Sequence, residues 1–280
     1  MIASSMSYCV FTALNGTYNR GIIGIMCPHS GNDQPCNKPN PQIQLEANVM
    51  TLPVLYSLRN CPYAMRARLA IYKSKQPVAL RDIVLKNKPP EMLAASPKAT
   101  VPVLVLTSAN VLDESLHIML WALGESDPHG LLRPEIVSYT EQSNGNNATG
   151  TLADALELIH QFDHEFKTCL EAYKCAKRYH ENNLQDCRQA CEVHIQDLEQ
   201  RLCKHKYVID DTESIADIAL LPFIRQFAKI ERQWYLQSPY PHIKFWLDSY
   251  LQSPMFTKVM AKYPLWSPDQ PIIEFGDHKM

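Results

Sequence analysis

At 280 residues, 46 % of them hydrophobic and 20 % charged, the chain can bury a substantial core as one large or two small domains, which excludes global disorder. A formal net charge of −2 and a pI near 6.5, with no basic run or stripe, exclude the footprint of a nucleic-acid or anionic-membrane partner. No apolar stretch reaches the roughly 18 residues of a membrane-spanning helix, and the most apolar run, Ile215 to Ile224, is interrupted by Asp217 and Pro222.

Residues 1–49 differ from the rest: they carry Cys27-Pro28, Pro35-Cys36 and Pro39-Asn40-Pro41 and no sustained apolar period. Met50 directly precedes the first convincing strand and is read as the native start. The leader is then a start-site artefact or a poorly ordered tail. From Met50 a βαβ pattern is legible. Val54–Ser57 reads as a strand, Pro62–Lys73 as a helix and Ala79–Val84 as a second strand. A polar loop, Leu85 to Pro90, precedes a short helix opening at Pro90. The apolar run Val103–Leu106, a turn at 107–110, a short strand Val111-Leu112 and an apolar helix Leu116–Leu123 follow. Strand, helix, strand, hairpin and helix in this order predict a thioredoxin-like α/β domain over residues 50–126. Pro128, Gly130, Pro134 and the polar run from Gln142 mark a linker over 127–150. Beyond it the period is helical, with helices expected at about 151–181, 184–204, 214–233, 240–252 and 254–262. The segment 151–265 is therefore an all-α domain, and 266–280 a C-terminal tail. Ser214-Ile215-Ala216-Asp217 is a helix-capping signature.

Cys61 carries the chemistry. Strand, Cys61-Pro62, then helix places Pro62 at the first helical position, where its missing N–H costs nothing. Cys61 then stands at the N-cap, beside unpaired N–H groups and the positive end of the helix dipole, a setting that favours a thiolate over a thiol. Arg59, Arg66 and Arg68 add positive charge nearby in sequence. Ala64 stands where a Cys-x-x-Cys pair would have its second cysteine, so disulfide exchange here is monothiol, with the second thiol supplied from outside.

Cys61-Pro62-Tyr63-Ala64, followed by Leu85-Lys86-Asn87-Lys88-Pro89, by Thr100-Val101-Pro102-Val103-Leu104 and by Asp113-Glu114-Ser115 opening a helix, resembles the cytosolic glutathione S-transferase superfamily. The likeness is to its cysteine type, the omega class and the two-domain bacterial glutaredoxins, and it covers residues 52 to about 265. It implies glutathione as co-substrate and no metal. Val101-Pro102 matches the cis-proline loop, whose main chain pairs with the cysteinyl part of glutathione. Glu114 and Ser115 match the pair that holds the γ-glutamyl end, and Lys88 matches the lysine that reaches the glycine carboxylate. The leader and the loop at 136–150 do not match the omega pattern.

The resulting expectation is a cytoplasmic glutathione-dependent thiol transferase acting on a small or protein disulfide, with homodimerisation possible. Two alternatives stay open. One is a conjugating transferase, in which Tyr56 or Ser57 stabilises glutathione's own thiolate or an electrophile replaces the disulfide. The other is a non-enzymatic binding or regulatory member of the fold. Tyr173, Trp234 and Tyr235 are candidates for a substrate pocket between the domains. Nine cysteines, an odd number in a core-rich chain, read as reduced thiols. Cys175, Cys187, Cys191 and Cys203 fit helix packing better than a zinc site, and His160, Asp163 and His164 read as a polar helix face.

Overall fold

The computed structural model describes residues 52–133 and 150–276. The leader 1–49, Met50 included, and the loop residues 136–149 lie outside the described residues. The first domain runs β1 (Val54–Ser57), α1 (Pro62–Ser74), β2 (Val78–Asp82), α2 (Pro90–Ala95), β3 (Val103–Val105), β4 (Val111–Leu112) and α3 (Ser115–Glu125). β1 pairs parallel with β2 and antiparallel with β3, and β3 pairs antiparallel with β4. Side chains alternate across this sheet with a period of two. Leu55, Val78, Leu80 and Leu104 join the main core with α1 and α3, while Tyr56 and Val103 pack in a second cluster with Met92 of α2.

The second domain is helical. α4 (Leu152–Gln161) runs through a π turn (Phe162–Phe166) into α5 (Lys167–Tyr179); α6 (Leu184–Lys204), α7 (Ile215–Ile230), α8 (Arg232–Gln237), α9 (Pro241–Leu251) and α10 (Pro254–Val259) follow. α7 is the buried axis, and Ser214 and Asp217 form the capping box at its start. Asp217, fully buried, accepts from Ser214 N–H at 2.9 Å, Ser214 Oγ at 3.0 Å, Val208 N–H at 3.0 Å and Trp246 Nε1 at 3.1 Å. One carboxylate therefore fixes the helix start, the preceding loop and α9. No helix among the described residues is long and apolar enough to cross a membrane.

The two domains meet along α1. Arg66, fully buried, pairs end-on with Asp163 of the π turn, through Nη1 and Nη2 at 2.9 and 2.7 Å. It also donates to the Ala219 carbonyl of α7 at 2.7 Å and lies 4.4 Å from the Phe223 ring centre. At the other end of α1, Lys73 pairs with Glu213 at 2.6 Å, and Tyr250 of α9 donates to the same carboxylate at 2.8 Å.

The segment read as a tail supplies a strand. After α10 the chain returns to the first domain, where Trp266 N–H donates to the Asp82 carbonyl at 2.8 Å. β5 (Ile273–Phe275) then pairs antiparallel with β2. The sheet order is β4-β3-β1-β2-β5, so β5 covers a β2 edge that would otherwise present unpaired N–H and C=O groups. Gly276 ends it with φ +104°, and a Cβ there would lie 2.0 Å from the Gln76 carbonyl oxygen, so only glycine fits.

Removing one partner of a buried ion pair strands the other. Arg66→Met should cost about 3 kcal/mol in urea denaturation, whereas Lys174→Met, which removes the exposed Lys174–Glu171 pair, should cost less than about 0.5 kcal/mol. Equal losses in the two variants would contradict the inter-domain role of Arg66.

Candidate active site

Cys61 is the N-cap residue of α1, with extended backbone (φ −77°, ψ 125°) and Pro62 behind it in the first turn. Its N–H donates to the Leu58 carbonyl at 3.0 Å, and its carbonyl accepts from Met65 N–H at 2.9 Å. These two bonds hold the Cα between strand and helix, so the half-buried side chain has a fixed origin. Its Sγ donates to the Val101 carbonyl at 3.7 Å. The Val101–Pro102 peptide bond is cis, and Val101 is 8 % exposed. Two segments far apart in sequence thus place a thiol and a main-chain carbonyl against each other at the N-terminus of a 13-residue helix.

Two of the three neighbouring arginines, Arg66 and Arg68, do not serve this thiol. Arg66 is spent on Asp163, and Arg68, also fully buried, donates to Ser57 Oγ at 2.7 Å, Asp82 at 2.5 Å and the Val259 carbonyl at 3.3 Å. The charges of these two are therefore neutralised within the core, and the helix N-terminus contributes positive potential at Cys61. Tyr63 of the same motif turns to the helical domain, edge-on to Phe223 at 5.2 Å with Lys167 Nζ 5.4 Å from its ring centre.

Ser115 is the first residue of α3, 5 % exposed, and Glu114 is its N-cap residue. Glu114 is exposed and pairs with Lys98 at 2.7 Å; Lys98 also pairs with Asp113 at 3.0 Å, and Ser96 Oγ donates to Asp113 at 2.9 Å. Lys98 holds the Asp113 carboxyl below the usual range. Sequence reading missed Lys98, because its partners lie 15 and 16 residues away with no periodic relation to it. Lys88 is half-buried in the loop after β2 and lines a cleft of about 380 Å³ with Asp82, Leu265 and Trp266.

Tyr56 and Ser57, adjacent on β1, face opposite sides of the sheet. Ser57 is fully buried with its hydroxyl taken by Arg68. Tyr56 accepts from Arg81 at 2.6 Å, and burial pushes its phenol above the usual range. Arg81 also stacks 4.4 Å from the Trp266 ring centre, a contact made by the segment read as a tail. Among the pocket candidates, Tyr173 is fully buried and donates to Glu231 at 2.8 Å, so it belongs to the helical core. Trp234 is held by Arg188 at 4.4 Å from its ring centre, and Tyr235 is 6 % exposed. Of the five cysteines of the helical domain, Cys191 is buried, Cys169 and Cys187 are half-buried, and Cys175 and Cys203 are exposed. Among the described residues there is no group of three or more His, Cys, Asp or Glu side chains placed to hold a metal ion.

Comparison with known proteins agrees with this architecture. The model of the glutathione S-transferase N-terminal domain matches residues 55–129, and that of the C-terminal domain matches residues 161–254. Among solved structures, a glutathione S-transferase-I bound with lactoylglutathione is 20 % identical, with 75 % of this chain and 98 % of that one covered at a TM-score of 0.60. A glutathione transferase family member from Pseudomonas fluorescens with two glutathione bound is 16 % identical, with 78 % and 96 % covered at 0.61. A possible glutathione S-transferase from Rhodopseudomonas palustris is 22 % identical, with 78 % and 100 % covered at 0.58. No curated protein matches the sequence. With both domain models matched in order over more than half its length, the chain belongs to the glutathione S-transferase superfamily.

Proposed function

We propose that the chain is a glutathione-dependent thiol transferase in which Cys61 exchanges with glutathione mixed disulfides. The observation that carries this reading is the position of Cys61 Sγ, at the N-cap of α1 and 3.7 Å from the Val101 carbonyl. In the first step the Cys61 thiolate attacks the glutathione sulfur of a mixed disulfide. The Cys61–glutathione bond forms, the original S–S bond breaks, and the expelled thiolate takes a proton from water. A second glutathione thiolate then attacks the bound glutathione sulfur and releases glutathione disulfide. Cys61 departs as a thiolate. The sum consumes one glutathione thiol and the mixed disulfide and yields the freed thiol and glutathione disulfide, so the disulfide passes from substrate to glutathione.

The binding roles are proposals of the same kind. The Val101 main chain takes the cysteinyl part of glutathione. Ser115 and the first N–H groups of α3 take its α-carboxylate. Glu114 takes the α-ammonium, a role supported by the ammonium it already holds, that of Lys98 at 2.7 Å. Lys88 takes the glycine carboxylate. Conjugation through Ser57 or Tyr56 is disfavoured because the serine hydroxyl is committed to Arg68 and the tyrosine oxygen to Arg81. The Pseudomonas fluorescens family member with two glutathione bound supports glutathione as the co-substrate.

In glutathione-dependent reduction of a small mixed disulfide, Cys61→Ser should lose at least about a thousandfold in rate. Ser115→Ala should raise the KM for glutathione about tenfold while kcat changes little. A Cys61→Ser enzyme with the wild-type rate would refute the reading. Limited iodoacetamide at neutral pH should label Cys61 well before Cys191, which is fully buried and whose thiol burial pushes up to about 12. Equal labelling of the two would remove the support that exposure gives Cys61.

A further inference from the structure

α7 runs antiparallel to α1 and extends past its start. Lys73 meets Glu213 at 2.6 Å, Arg66 Nε–H meets the Ala219 carbonyl at 2.7 Å, and the Tyr63 ring centre lies 5.2 Å from that of Phe223. Each step back along α1 is matched by an equal step forward along α7. Cys61 is therefore level with Ile224 and Arg225, and Lys229 stands one turn, about 6 Å, beyond. Arg225 is half-buried, its guanidinium carbon 5.4 Å from the Phe256 ring centre, and Lys229 is exposed. Arg59 is half-buried two residues before Cys61. We propose that these three cations select the substrate: the half of the mixed disulfide that is not glutathione is a small thiol bearing carboxylate groups. The inference rests on the glutathione site proposed above and adds the chemical class of the second half.

The carboxylates at this end of the molecule are already spent. Asp82 is taken by Arg68 at 2.5 Å, Asp163 by Arg66, and Glu231 by Arg188 at 2.7 Å and the Tyr173 hydroxyl at 2.8 Å. Among the described residues no ion pair joins Arg59, Arg225 or Lys229 to a carboxylate. Asp82 lies in the field of Arg59 as well as Arg68, so one carboxylate answers two guanidiniums. The cations also act on one another. Burial and the charge of Arg59 pull the Arg225 guanidinium below its ordinary range, and partial burial with the charges of Arg225 and Arg232 does the same to Lys229. An anion placed among them relieves that repulsion, and the planar fork of arginine suits a carboxylate. The domains divide the substrate between them. Val101, Glu114 and Ser115, proposed to hold glutathione, belong to the first domain, and Arg225 and Lys229 to the second. The second domain therefore meets the half that leaves when the Cys61 thiolate attacks the glutathione sulfur. A positive wall at that place concentrates anionic disulfides and repels cationic ones.

Thioether analogues test this without thiol exchange, because their C–S bond does not react with Cys61. S-(1,2-dicarboxyethyl)glutathione, S-ethylglutathione and S-(2-aminoethyl)glutathione are titrated calorimetrically into the full chain at low ionic strength. The dicarboxyethyl analogue should bind at least about tenfold more tightly than the ethyl one, and the aminoethyl analogue more weakly than either. That preference should shrink as salt is added. Arg225→Gln with Lys229→Gln should bring the ratio of dicarboxyethyl to ethyl affinity to about one, with binding of the ethyl analogue showing that the fold is intact. Arg225→Lys with Lys229→Arg should keep the preference, as should Cys61→Ser, so a failure of thiol transfer leaves this result standing. Equal affinities for the three analogues in the wild type, or an unchanged ratio in the double glutamine variant, would overturn the substrate assignment alone. Failure of all three to bind would remove the glutathione site and this inference with it.

Discussion

A guanidinium with no access to water holds the two domains together. Arg66 stands in the second turn of α1, and burying its charge is tolerable only because Asp163 meets both its Nη atoms end-on while the Ala219 carbonyl accepts its Nε–H. These partners belong to two different helices of the second domain. Any rotation of that domain about α1 would strand a buried cation, so the pair specifies one docking geometry. The π turn at Phe162–Phe166 carries Asp163, a placement consistent with the frequent use of such turns at specialised positions.

That constraint fixes what lies at the ends of α1. At its N-terminus, Cys61 is held by bonds to Leu58 and Met65 and faces Val101, so the reactive thiol inherits the rigidity of the helix. At its C-terminus, Lys73, Glu213 and Tyr250 close a second polar link between the domains. The C-terminal segment adds a third restraint from the far side of the sheet, through Trp266, Arg81 and the β5–β2 pairing. It also borders the loop that carries Lys88, and the two line one cleft together.

Local signals were legible in the sequence, and long-range polar pairing was not. The short apolar run after Pro53 placed β1 at Val54–Ser57, and the Cys-Pro junction placed the start of α1. Ser214 and Asp217 announced the start of α7, since the box is written within four consecutive residues. The roles of Arg66 and Arg68 could not be read the same way. Three arginines near Cys61 look like a positive environment until their acceptors are known, and Asp163 lies 97 residues from Arg66. Lys98 with Glu114 is a smaller case of the same kind. β5 escaped notice because it is three residues long and lies between Pro271 and Gly276, and its stability comes from the β2 edge rather than from its own sequence. Tyr173 was misplaced because an aromatic residue on an amphipathic helix can face the core or a cleft with the same spacing.

The central claim is that Cys61 takes up glutathione covalently. Intact-mass measurement followed by peptide mapping, after brief exposure of the full chain to a glutathione mixed disulfide, tests it most directly. The account predicts a single glutathione moiety on Cys61, removed by free glutathione and absent in Cys61→Ser. An unmodified Cys61, or an adduct confined to the exposed Cys175 and Cys203, would contradict it.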